Sequence, residues 1–216
     1  MAASTPTLSP SRTAPPNRSY AKLILWTILG LAALSIIPFT EFPILHDKIG
    51  PNVAYRARLF NDRLLLFPHA LCGTIALLSG PLQFSTRFRS RHLKFHRVLG
   101  RVYVSSVLIA ASMAFILTQG SGLEIGTYVQ AGAWITCTLA AFLTARNRQI
   151  VKHRQWMIRS YAVTFTFISL RVLNFWPAYF NMSNPHFTLT IILATFASVF
   201  LPDIAFSWRE LTTRRA

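Results

Sequence analysis

Five side chains in this sequence are spaced so that they could do chemistry together: His69, Gln83, His96, His153 and Arg171. His69, Gly73, Ala76, Gly80 and Gln83 step by four, three, four and three, which places them on one face of a helix. A stripe of small residues ending in a histidine suits a flat cofactor such as haem b. The imidazole would be an axial ligand, and the glycines would let the ring approach the backbone. In this limited respect the stripe is similar to the plan of four-helix b-type membrane cytochromes. The same stripe also serves ordinary helix packing, with His69 in the turn after Pro68.

His96 and His153 open two matching segments. HRVLGRVY from His96 and HRQWMIRSY from His153 each give a His-Arg pair, then an arginine, then a tyrosine two residues on, with spacers that differ by one residue. Each follows a basic stretch and begins a helix of the same direction, so the two histidines reach similar depth. Facing each other across a bundle, they would offer one haem iron or other metal two neutral imidazoles, the form a metal requires. The competing account makes them interfacial groups that anchor helix ends among lipid headgroups. The match also suggests a duplicated hairpin, although basic loops generate short His-Arg matches by chance. No helix carries two histidines a membrane width apart, as cytochromes of the b561 type do, so an outer ligand set would have to join His69 to His46 or His186.

Arg171 falls about twelve residues into the apolar run from Ser160, roughly 18 Å along by helical rise. A guanidinium there needs a polar partner or a wet cavity. With His69 and Asn174 it would line an outer pocket for an anionic or quinone-like ligand, Arg171 and Gln83 steering an acidic or carbonyl group; alternatively it snorkels to the interface. Asp203, after Pro202, approaches from the other side, with Arg101, Arg159 or Arg209 as expected partners. Cys72 and Cys137 lie inside apolar runs and supply neither a disulfide framework nor a zinc site. Phosphate-cradling glycine loops, HExxH and GxSxG are missing, so no enzyme class is indicated.

The elements that must position these residues follow from composition. Hydrophobic residues make up 52% of the 216 and charged residues 13%, too little polar material to coat a water-soluble globule. Residues 1–21, rich in Pro, Ser and Thr, read as a disordered cytoplasmic tail. Residues 22–39 read as a first transmembrane helix and uncleaved anchor. Further apolar runs at Leu64–Phe84, Val102–Thr118, Tyr128–Ala145, Ser160–Tyr179 and Phe187–Trp208 bring the expected spans to six. The core would be four helices within 64–179, followed by a last span at 187–208 and a cytoplasmic tail at 209–216.

Seventeen of the 22 Lys and Arg residues fall on one side of these spans, including Arg87 to Arg101 and Arg146 to Arg159. The positive-inside bias therefore puts both termini in the cytoplasm. The formal +16 is topology rather than a nucleic-acid surface, because no soluble module interleaves basic and stacking residues.

The run PHALCGTIALLSGPLQFSTRFRSRHLKFHRVLGRVYV from Pro68, with KHRQWMIRSYAVTFTFISLR from Lys152, resembles a family of small bacterial multi-pass predicted membrane proteins classed as a domain of unknown function. The resemblance spans Leu64 to Arg171 and rests on positions that include His69, Gly80, Gln83, His96, Tyr103, His153, Trp156, Met157, Arg159, Tyr161 and Arg171. It implies a fold and a location but no activity. The expectation is an all-α integral membrane bundle in the cell membrane, with the lipid bilayer as partner and no nucleic acid. Two functions stay open. One is a b-type haem or quinone-linked redox protein, with His69, His96 and His153 as metal or haem ligands and a membrane redox partner. The other is a non-enzymatic partner subunit or a small-ligand binding or transport protein.

Overall fold

The computed structural model describes residues 27, 30, 31, 58, 60–173, 176 and 182–212, apart from the side chains of 209 and 210. The first expected span lies outside these residues except for Thr27, Gly30 and Leu31, which are helical. In chain order the helices are α1 (Arg63–Phe84), α2 (Thr86–Arg91), α3 (Leu93–Leu117), α4 (Glu124–Arg146), α5 (Ile150–Leu173) and α6 (Asn184–Thr212), with no strand among the described residues. Four of them, α1, α3, α4 and the Asn184–Trp208 part of α6, are long and apolar enough to cross a membrane. The fifth, α5, has 24 residues, which is sufficient length, but Lys152, Arg154, Arg159 and Arg171 dilute its apolar character.

Both α3 and α5 begin about ten residues before the apolar runs that announce them. Hydropathy marks where side chains meet hydrocarbon, whereas the helix continues into the basic connection, where Lys and Arg stems lie along it and their heads reach water. The α4–α5 turn is consequently short, and Arg148 takes it with a left-handed φ of 58°. At the opposite end, Gly120 and Gly122 turn the chain between α3 and α4 with φ of 69° and 79°. A side chain at Gly122 would also meet Asn184 Nδ2 at 2.9 Å, and that amide donates to the Ser121 carbonyl at 3.1 Å.

Helices α1 and α3 form one antiparallel hairpin and α4 and α5 a second, and these two pairings are the most extensive contacts. The ring closes through α3 against α4 and, less extensively, α5 against α1, while α6 packs on α4 and α5. The core lies between the hairpins, where Ala76, Tyr103, Val107, Ala110, Ala131, Trp134 and Val163 are buried. Outward faces remain apolar, as Leu71, Leu78 and Leu82 on α1 and Leu193, Phe196 and Phe200 on α6 show.

A polar layer crosses this core. Thr138 Oγ1 lies 2.7 Å from Ser160 Oγ, Ser160 Oγ 2.7 Å from Tyr103 Oη, and Tyr103 Oη 2.9 Å from Thr164 Oγ1. The Trp134 indole donates to Thr164 Oγ1 at 2.8 Å, and that hydroxyl donates to the Ser160 carbonyl at 3.0 Å. An indole N–H can only donate and a carbonyl can only accept, so the proton directions follow. Tyr103 donates to Thr164, Ser160 to Tyr103 and Thr138 to Ser160. Every hydroxyl in the layer is thereby satisfied, as burial between membrane helices demands.

The second repeat tyrosine does a different job. Pro81 has no N–H to give the carbonyl four residues earlier, so Leu77 C=O lacks its helical partner. Tyr161 Oη donates to that carbonyl at 2.8 Å. Gly80 makes the approach feasible, because a Cβ there would sit 1.9 Å from Tyr161 Cε2. Each repeat tyrosine thus reaches from its own hairpin into the other.

Candidate functional site

At the end of the bundle that carries the basic connections, the last residues of α1, the helix α2 and the first turns of α3 and α5 enclose a cleft of about 80 Å³. His96 and His153 are each the fourth residue of their helices, and both line it. Their shared position comes from the repeat: two helices of the same direction start at the same level on opposite corners of the ring. Gln83 enters from the end of α1, and its amide donates to the His96 carbonyl at 3.1 Å, fixing α1 against the start of α3. Arg89 of α2 and Arg154 of α5 add cations, and Phe84, Met157 and Ile158 form an apolar wall.

The two imidazoles differ in bonding. His153 Nδ1 donates to the Ala141 carbonyl at 2.8 Å, since a carbonyl only accepts; a neutral ring then carries its lone pair on Nε2. His96 Nδ1 is buried without a hydrogen-bond partner. Arg89, His153 and Arg97 all lie close enough to act on His96 electrostatically. Among the described residues no carboxylate lines the cleft. The arrangement is a small, positively biased recess with one buried polar nitrogen unsatisfied.

His69 and Arg171 lie elsewhere. His69 Nδ1 donates to the Ala110 carbonyl of α3 at 2.8 Å, and its ring meets Phe167 edge-on at 6.2 Å. Arg171 is in the last turn of α5, with Nη1 3.5 Å from the Phe167 carbonyl. Because α5 starts at Ile150, Arg171 is near the far end of the helix rather than midway along it, where a cation complements the helix dipole. Asn174 and His46, named above as possible companions, lie outside the described residues; His186 bonds Ser183 Oγ at 2.8 Å. The small-residue stripe of α1 is occupied at Gly80 by the Tyr161 ring and faces open space at Gly73. No group of three or more His, Cys, Asp or Glu among the described residues could hold a metal ion.

Asp203 finds one of its three expected partners: Arg159 Nε donates to Asp203 Oδ1 at 2.7 Å, and Nη2 bonds the same oxygen. The guanidinium also lies over the Trp156 ring, 4.6 Å from its centroid. The sequence assigns Arg89 to topology alone and gives Tyr103, Ser160 and Thr164 no chemical part. Tyr103 and Tyr161 at matching repeat positions were the available signal, because a tyrosine inside a membrane helix must place its hydroxyl on a partner.

The fold and its apolar exterior define a multi-pass helical membrane protein. The chain belongs to the family described as Predicted membrane protein (DUF2306), whose model matches residues 66–208. No curated protein and no solved structure matches it.

Proposed function

We propose that this is a membrane-embedded binding protein that holds a small anionic group, a phosphate or a carboxylate, in the cleft between His96 and His153. The observation that carries the reading is the buried, unpartnered His96 Nδ1 in a recess that contains Arg89, His153 and Arg154 and, among the described residues, no carboxylate. With its proton on Nδ1, His96 would donate to an anion, which would also neutralise the surrounding charge. The positive-inside bias supports a cytoplasmic position in the cell membrane for this end of the bundle and for both chain termini.

A redox centre fits the same cleft less well. Pockets that enclose a cofactor-sized ligand run to roughly 300 Å³ and more, so this one does not enclose haem b. A bare metal ion is the second reading, favoured by the His153 Nδ1–H to carbonyl bond, which is the usual outer support of a metal-ligating histidine. Against it stand two nitrogen donors only and the neighbouring guanidinium groups.

The test is thermal unfolding of the detergent-purified protein at matched ionic strength. Phosphate, given as the inorganic ion and as a short-chain phospholipid, and acetate are compared with chloride. At least one anion should raise Tm in the parent and fail to do so in His96→Ala. If none does, the binding reading is wrong. Metal bound in proportion to protein, lost together in His96→Ala and His153→Ala, would instead establish the second reading, and a Soret band in the purified protein would restore the haem reading.

A further inference from the structure

The cleft has two unlike walls, and its depth is set by helix geometry. Arg89, Arg154, His96 and His153 present nitrogen, whereas Phe84, Met157 and Ile158 present hydrocarbon. His96 and His153 lie about one helical turn, roughly 5 Å, inside the starts of α3 and α5. The apolar runs of these helices begin six and seven residues further on, at Val102 and Ser160, so by helical rise the cleft lies roughly 10 Å outside the hydrocarbon, at the level of lipid headgroups. A free inorganic ion has no use for the apolar wall, whereas a phospholipid places its phosphate on the cations and its glycerol on Phe84, Met157 and Ile158.

Access points the same way. The contact of α5 with α1 is less extensive than its counterpart, α3 with α4. Among the described helices, α6 lies along α4 and α5 instead of over the α1–α5 seam. Below the cleft the seam is closed by Tyr161 against Gly80 and by the Phe84–Tyr161 ring contact, with centroids 5.3 Å apart. A headgroup can therefore enter at the end of the seam, but an acyl chain cannot follow it into the core. Its chains would stay on the apolar outer surface, where Leu78 and Leu82 are exposed.

Resting on the anion-binding reading above, we infer that the ligand is an anionic phospholipid of the cytoplasmic leaflet, its phosphate held between His96, Arg89 and Arg154 and its glycerol against Met157 and Ile158. The two sources of phosphate are separated by titrating the detergent-solubilised full chain with phosphatidylglycerol, phosphatidylcholine or inorganic phosphate, with bound lipid counted by native mass spectrometry and Tm read in parallel.

Phosphatidylglycerol should bind about tenfold more tightly than phosphatidylcholine. That preference should fall about fivefold or more in Arg89→Gln and in Arg154→Gln, whose side chains are not in the core, and survive in Arg146→Gln, an exposed arginine at the same end that does not line the cleft. Equal binding of the two lipids, or loss in Arg146→Gln as large as in Arg154→Gln, overturns the inference by showing no selective headgroup site. Inorganic phosphate matching phosphatidylglycerol at equal concentration overturns the lipid source yet leaves the anion-binding reading intact. Failure of every phosphate removes both.

Discussion

Gly80, Pro81 and Tyr161 form one device, and each member explains the others. Proline leaves the Leu77 carbonyl without its helical donor, tyrosine supplies the missing hydrogen bond, and glycine makes room for the ring. Gly80→Ala should therefore cost about 1–3 kcal/mol through overpacking, read as a lowered Tm in detergent. Tyr161→Phe keeps the ring but orphans the carbonyl, and should cost a similar amount, about 1–3 kcal/mol. If Gly80→Ala is neutral, the ring does not occupy that space. Tyr103→Phe is a sharper case, because it leaves Ser160 without an acceptor and takes from Thr164 one of its two donors, the Trp134 indole being the other. Its loss should be strongly non-additive with Ser160→Ala, a coupling that two independent packing effects would not show. At this scale the sequence spoke clearly only where spacing was regular. The repeated His-Arg segments put His96 and His153 at one level, whereas Gln83, read on the α1 stripe with His69 and grouped with Arg171, instead reaches the His96 carbonyl. The Tyr103 layer was invisible because single hydroxyls on helices look alike until a partner helix is placed against them.

Between elements, the strongest directional contact of the last helix is the Arg159–Asp203 pair, which ties α6 to α5. Its two ends differ in environment: the arginine side chain is 15% exposed and the aspartate 40%. Removing the carboxylate leaves a largely enclosed guanidinium with only the faces of Trp156 and Phe206 beside it. Breaking a fully buried pair costs about 3–5 kcal/mol, and the exposure of Asp203 reduces that figure, so Asp203→Asn should lower stability by about 1–3 kcal/mol. The exchanged pair Arg159→Asp with Asp203→Arg should recover part of the loss. A double variant worse than either single change would show that the charges act separately. Hydropathy announced α1, α3, α4 and α6 well because each offers lipid a long apolar face. It misplaced the starts of α3 and α5, where amphipathic turns carry Lys94, Arg97, Lys152 and Arg154. The same displacement moved Arg171 from an expected mid-membrane depth to the last turn of α5.

For the whole molecule, the described helices fix relative sidedness whatever precedes Arg63. The connections around Ser90 and Arg148 lie at one end with the C-terminal end of α6, and the Gly120–Gly122 turn lies at the other. The orientation proposed above rests on charge: Arg87, Arg89, Arg91, Lys94, Arg146, Arg148, Lys152 and Arg154 crowd one end, and the opposite turn carries Glu124 and no Lys or Arg between Thr118 and Tyr128. Such an imbalance within short loops orients a bundle through the cost of translocating lysine and arginine. On that proposal the cleft at the basic end faces the cytoplasmic leaflet, so the lipid inference depends on the orientation. A single-cysteine experiment separates them from mere consistency. With Cys72 and Cys137 replaced by alanine, Ser121→Cys should react with a membrane-impermeant maleimide added to intact cells, and Ser90→Cys should react only after the membrane is opened. A C-terminal reporter should read cytoplasmic. The reverse labelling pattern would place the cleft in the outer leaflet, and labelling of both sites in intact cells would break the membrane-spanning arrangement of α1 to α4.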